Sequence, residues 1–160
     1  MLLWYVSTFG NLEGGEEMPD RAVEHLQSDF RKRVLLLLND CRAEKLPVVI
    51  VETLRSYERS NELYAQGRTT PGQIVTKAKA GQSYHNFGLA IDMVLLDDGQ
   101  PTWDFDPAGK VWSRVVWLAK NRGLAWGGDW QKFRDVPHFQ PRTVPPLLLC
   151  RVKWPGGWTP

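Results

Sequence analysis

The chain has 160 residues and a net charge of +2, from 20 Lys and Arg against 18 Asp and Glu, with 42% hydrophobic and 24% charged residues. These values exclude a disordered chain and allow a core large enough to need no staples. The charge is too small to imply nucleic-acid binding, no run approaches the ~20 apolar residues of a membrane span, and Cys41 and Cys150 make neither a disulfide framework nor a metal knuckle.

The opening MLLWYVSTFG lacks a basic n-region and is too short in apolar residues for a clear signal peptide, so the chain is expected to start in a cytoplasm. Residues 11–18 read as an acidic loop. Pro19-Asp20 then opens a helix, capped by Asp20 and running to about Lys45. Val23, Leu26, Phe30, Val34, Leu37 and Cys41 recur at steps of three and four and mark its buried face, which makes Cys41 a buried, inert thiol. Pro47–Thr53 is a β-branched run and reads as a buried strand.

A second helix is expected over about 58–66, with Ser56 as cap and Gly67 as its left-handed stop. Residues 67–83 form a long loop rich in Gly, Thr and Ser, a class of segment that is often functional. Phe87–Leu96 reads as a strand, Asp97-Asp98-Gly99 as a turn, and Thr102–Phe105 as the returning partner. Asp106-Pro107 starts a third helix with Val111, Val115 and Leu118 as its stripe, and Gly123 ends it. Leu124–Trp126 and Pro137–Gln140 read as extended. The mixture lacks a βαβ rhythm and predicts an α+β fold: a small, mainly antiparallel sheet with helices packed on one side.

Of three histidines, His25 lies in the first helix and reads as a surface residue. His85 and His138 stand in more unusual surroundings. His85 closes a loop, and Asp92 follows within the next strand, on a face with Ala90 and Val94 and opposite Leu89, Ile91 and Met93. A carboxylate in so apolar a strand needs a cation, and taken alone Asp92 reads as the partner of a Lys or Arg. Pro137 keeps His138 extended, with Asp135 close by. Together two His and one Asp make the open three-ligand set of a catalytic zinc site, with Asp135 left to handle protons. The same donors suit non-haem iron(II). That arrangement usually keeps its first His and carboxylate close in sequence and does not need Asp135, whereas six residues separate His85 from Asp92, so zinc is the expected ion. The acids Asp97, Asp98, Asp104 and Asp106 lack calcium-loop spacing and read as a solvated hairpin end.

The stretch Glu52–Asp92, centred on LRSYERSNELYAQGRTTPGQIVTKAKAGQSYHNFGLAID, together with GLAWGGDWQKFRDVPHFQ, resembles the peptidoglycan L-alanyl-D-glutamate endopeptidases. These are relatives of the zinc D-Ala-D-Ala carboxypeptidases and are common as phage endolysins. The resemblance covers roughly residues 19–140, and residues 1–18 and 141–160 read as extensions of a single metallopeptidase domain, 1–160. It implies one Zn2+ on His85, Asp92 and His138, Asp135 as general base, and Arg55 facing the active site, as oxyanion clamp or carboxylate binder. Arg55 could instead be an ion-pair partner of Asp92 or Glu58. Ser83 and Trp130 are candidate substrate contacts, or else a loop terminator and a core aromatic. Leu54 stands where the family often has an aromatic residue, and Ser60-Asn61 where it often has Gln.

The function so implied is hydrolysis of the L-Ala–D-Glu bond of peptidoglycan stem peptides. It would be performed by a monomer made in a host cytoplasm and acting in the periplasm or wall, without nucleic-acid partner or membrane insertion. The alternatives are a D-Ala-D-Ala carboxypeptidase and a non-catalytic zinc-bearing wall-binding module.

Overall fold

A computed structural model describes residues 18–105 and 109–160. The elements in chain order are α1 (Ser28–Ala43), β1 (Val48–Glu52), α2 (Tyr57–Ala65), β2 (Ile91–Asp97), β3 (Gln100–Thr102), α3 (Lys110–Asn121), β4 (Leu124–Trp126), β5 (His138–Pro141) and α4 (Leu147–Lys153). All strand pairs are antiparallel, in the order β1-β2-β5-β4, with β3 also on β2. The expected α+β fold is present.

Register explains how the sheet acquires two unlike faces. Ile50 pairs with Met93, Ile91 with Phe139, and Phe139 with Trp126. These residues join one core with Phe30, Val34 and Leu37 of α1 and Trp112, Val115 and Ala119 of α3. The helical layer therefore covers the Ile91/Met93 face. The other face carries the rung Glu52–Asp92–His138, one residue from each of three adjacent strands. Glu52 reaches that rung because β1 is irregular between Ile50 and Glu52, so that two steps on β1 match one on β2. Such a bulge re-aims the side chain that follows it.

Several expectations shift in detail. The first helix is broken: Val23–His25 is a separate 3-10 turn, and Leu26 and Gln27 are extended before α1 begins. Tertiary bonds compete with the helix here, because the backbone N–H of Gln27 donates to Gly88 and its side-chain amide to Phe87. Asp20 is therefore not a helix cap: Ala22 is the cap residue of the short turn, Asp20 accepts the Ala22 N–H at 2.8 Å, and His25, in that turn, pairs with Asp20 at 2.5 Å. Helix α1 stops at Ala43, where Lys45 takes a left-handed conformation and the N–H of Leu46 closes back onto the Cys41 carbonyl. Phe87 belongs to a 3-10 turn rather than to β2, and the returning strand is shorter and earlier than Thr102–Phe105. Val111 is 38% exposed, and Trp112 takes the core position beside it. The expected helix start at Asp106-Pro107, the acidic loop at 11–17 and the opening apolar segment lie outside the described residues. Ser56 caps α2 as expected, accepting from Arg59 N–H at 2.9 Å, and Asp98 and Gly99 make the hairpin turn with positive φ. Cys41 and Cys150 are buried and free, and burial, then Asp40 and Glu44, push the Cys41 thiol up to about 11.

Candidate metal centre

His85, Asp92 and His138 converge, with one donor atom from each lying within 4.8 Å of the others. His85 comes from the 3-10 turn Tyr84–Phe87, which Ser83 caps by accepting the His85 N–H at 3.3 Å. Gly88 ends that turn in a left-handed conformation and delivers the chain into β2. Asp92 and His138 are paired neighbours on β2 and β5.

The imidazole orientations bear on whether an ion fits. His85 Nδ1 lies 2.7 Å from the Thr53 carbonyl, which can only accept, so Nδ1 carries the proton. Nε2 of the neutral ring is then bare, and it faces Asp92 Oδ1 at 3.2 Å. His138 repeats the pattern: Nε2–H donates to the amide oxygen of Gln140 at 3.0 Å, and Nδ1 faces the same Asp92 oxygen at 3.3 Å. Two neutral imidazoles would thus aim lone pairs at a carboxylate, an arrangement that only protons or a cation can relieve. Two nitrogens and one oxygen, each ring steered by an outer acceptor, form a donor set that fits a divalent metal. Without a metal, a proton on His138 can play that part. Burial works to raise the Asp92 carboxyl, but His85 and His138 more than offset it and hold it well below the usual range. Burial works to lower the His138 imidazole, and the hydrogen bond and charge of Asp92 raise it instead.

Arg55 lies on the same cleft. Its Nε donates to Glu52 Oε1 at 2.8 Å and its Nη2 to Glu52 Oε2, while Nη2 stands 3.8 Å from Asp92 Oδ2. Of the partners expected from sequence, Asp92 is present, whereas Glu52 takes the place of Glu58. Glu52 was not legible as a site residue because strict alternation from Ile50 would turn Val51, not Glu52, toward the rung. Gln140 could have been found, since it stands two residues after His138 on one strand and shares its face. The Thr53 carbonyl has no side-chain signature at all.

Asp135 is half-buried in the loop between β4 and β5, tied by its N–H to the Gly127 carbonyl at 3.1 Å. Burial first, then the charge of Asp92, pushes its carboxyl up. Gly127 permits this approach, since a Cβ there would stand 2.4 Å from the Asp135 carbonyl oxygen. Trp130 is half-buried with its ring 5.2 Å from that of His138, which makes it a wall of the site rather than a core aromatic. Arg55, Ser83, Trp130, Asp135 and the three donors all line one cleft of about 1030 Å³. The structure thus brings together every site residue singled out from sequence, and Ser83 both caps the turn and faces the cleft.

A family profile described as D-alanyl-D-alanine carboxypeptidase matches residues 76–141, the stretch holding all three donors and Asp135. The chain is 48% identical over 101 residues to the peptidoglycan L-alanyl-D-glutamate endopeptidase CwlK of Bacillus subtilis, covering 59% of this chain and 60% of that one. It is 29% identical over 118 residues to the L-alanyl-D-glutamate peptidase of Listeria phage A118, covering 74% of this chain and 38% of that one. The chain therefore spans less than two thirds of the length of either relative. In fold it is similar to the L-Ala D-Glu endopeptidase ChiX of Serratia marcescens, with a TM-score of 0.55 at 23% identity over 82% of this chain and 95% of that one. The resemblance carried by the sequence motifs is thus found again in alignments over 101 and 118 residues.

Proposed function

We propose that this chain is a zinc peptidase that hydrolyses the L-Ala–D-Glu bond of peptidoglycan stem peptides, as a phage lysis enzyme would. The observation that carries the chemistry is the convergence of His85, Asp92 and His138 beside Asp135 in one open cleft. The 48% identity to an L-alanyl-D-glutamate endopeptidase supports the choice of bond, which ligand chemistry by itself does not select.

His85 Nε2, one Asp92 oxygen and His138 Nδ1 would hold the ion. Zinc in such a site supplies Lewis acidity, which polarises a carbonyl and makes a water easier to deprotonate. Asp135 takes the proton of the attacking water and passes it to the departing amine, a role to which its raised carboxyl is suited. Arg55, held by Glu52, presents a fixed positive charge to the oxyanion or to a substrate carboxylate. Trp130 and Ser83 bound the space where the stem peptide lies. In this reading residues 1–160 form one catalytic unit that acts as a monomer on peptidoglycan in the periplasm or wall.

The reading is tested by digesting purified sacculi and analysing the fragments by mass. New N-terminal D-Glu is expected. Release of D-Ala with intact L-Ala–D-Glu linkages would instead establish the carboxypeptidase alternative. No cleavage with zinc restored after chelation would leave a wall-binding module.

A further inference from the structure

The turn that carries His85 is gripped from outside by the C-terminal segment 145–158, which lies beyond the stretch matched by the family profile. The Tyr84 hydroxyl donates to the Pro145 carbonyl at 3.0 Å. The N–H of Trp158 donates to the Asn86 carbonyl at 2.8 Å. The ring of Phe87 meets that of Trp154 at 6.3 Å, and Trp154 stands edge-on to Trp158 at 5.4 Å. Gly88 is pressed against Trp158 so closely that a Cβ would lie 2.8 Å from the indole Cδ1. Trp158 is fixed in turn by its indole N–H, which donates to the His25 carbonyl at 3.0 Å. Every residue from 84 to 88 except His85 itself is therefore in contact with this segment.

The grip continues toward the cleft. Asn86, whose carbonyl Trp158 holds, donates its side-chain amide to the Arg55 carbonyl at 2.8 Å and to Ser60 Oγ at 2.8 Å. The His85 carbonyl accepts the Arg55 N–H at 3.1 Å. One short turn thus sets both a metal donor and the arginine beside it. Short turns of this kind have little hydrogen bonding of their own and take their geometry from what packs on them.

We propose that segment 145–158 is a clamp that positions His85 for the metal and, through Asn86, Arg55 for the substrate, with Trp158 as its central positioning residue. The inference rests on the metal reading above. The alternative is that the segment only adds stability.

The two are separated by measuring Zn2+ affinity of the metal-free full chain by competition with a chromophoric chelator, at a temperature where circular dichroism shows each variant folded. Trp158→Ala should weaken Zn2+ binding about 10–100-fold, the range that outer partners of metal ligands produce. It should also alter the ligand-field spectrum of the Co2+-loaded protein. Trp158→Phe, which keeps a ring but loses the indole donor, and Tyr84→Phe should shift affinity in the same direction by less. Val152→Ser, on the exposed side of α4, should leave it unchanged. A folded Trp158→Ala that binds Zn2+ like the parent, with only a lower melting temperature, overturns the clamp. If Trp158→Ala does not fold, unchanged affinity in both Trp158→Phe and Tyr84→Phe overturns it equally. Failure of the parent chain itself to bind Zn2+ would overturn the metal reading and the clamp with it, whereas failure in the variants alone leaves the metal reading intact.

Discussion

Asp92 illustrates how one side chain is made useful by its neighbours. Burial alone would favour the neutral acid, yet two imidazoles hold it ionised, and so it remains a charged donor. Asp135 experiences the reverse balance and stays more basic than an ordinary aspartate. Two carboxylates whose environments push them apart are a recurrent basis for dividing roles between ligand and base. Asp135→Ala is therefore expected to lower kcat by about 10²–10⁴-fold while Zn2+ stoichiometry stays near that of the parent, measured by metal analysis alongside the sacculus assay. Loss of zinc would make Asp135 a ligand instead. Glu52 matters differently: with side-chain exposures of 11% and 10%, Glu52 and Arg55 are a nearly buried pair. Glu52→Leu would leave the guanidinium with its 3.8 Å contact to Asp92 in place of two hydrogen bonds to Glu52, and is expected to destabilise the fold by up to about 3–5 kcal/mol, read by urea denaturation.

At the level of elements, the site depends on two places where the backbone departs from regularity. The irregularity at Val51 brings Glu52 into line with Asp92, and Gly127 lets the Asp135 loop lie against the end of β4. Gly127→Ala would drive a methyl into backbone, not into a flexible side chain, so the loop must move. We expect a stability loss of about 1–3 kcal/mol together with a loss of kcat larger than the unfolded fraction accounts for, measured at a temperature where the variant is folded. The substitution Leu37→Ala is the contrasting case. It removes a fully buried side chain of α1 and should cost about 2–5 kcal/mol, while the folded fraction keeps parental kcat because α1 lies on the sheet face away from the cleft.

At the scale of the whole molecule, the proposed metal site would couple pH to metal binding. Without metal, Asp92 and His138 support each other as an ion pair. The raised His138 imidazole contributes stability below its ordinary value and loses it as pH rises through the folded value. The depressed Asp92 carboxyl contributes above its ordinary value and loses it as pH falls through the folded value. Raising the pH through the raised His138 value therefore weakens the metal-free protein and, in the same step, bares the His138 nitrogen that would bind metal. The difference in melting temperature between Zn2+-loaded and chelator-treated protein should grow from about pH 6 to about pH 8, as scanning fluorimetry would show. A constant difference would mean that the imidazoles do not bind the ion.

Much of this protein was legible in its residues taken in order. The apolar stripe Phe30–Val34–Leu37–Cys41, the β-branched run of β1, the Ser56 cap and the split of β2 into an Ile91/Met93 face and an Asp92 face follow from local periodicity and capping, which require no knowledge of distant chain. The pairing of His85 and Asp92 with His138 was legible because each motif brings its own donors. What the linear order did not contain was everything settled by a partner from elsewhere in the chain. Gln27 leaves the helix because its backbone and side chain bond to Gly88 and Phe87. Glu52 replaces Glu58 as the partner of Arg55 because a bulge shifts the register. The Thr53 carbonyl, 32 residues away in sequence, sets which nitrogen of His85 faces Asp92. Composition and spacing can nominate donors, but their directions are fixed by contacts between segments tens of residues apart, and such contacts exist only once the sheet has formed.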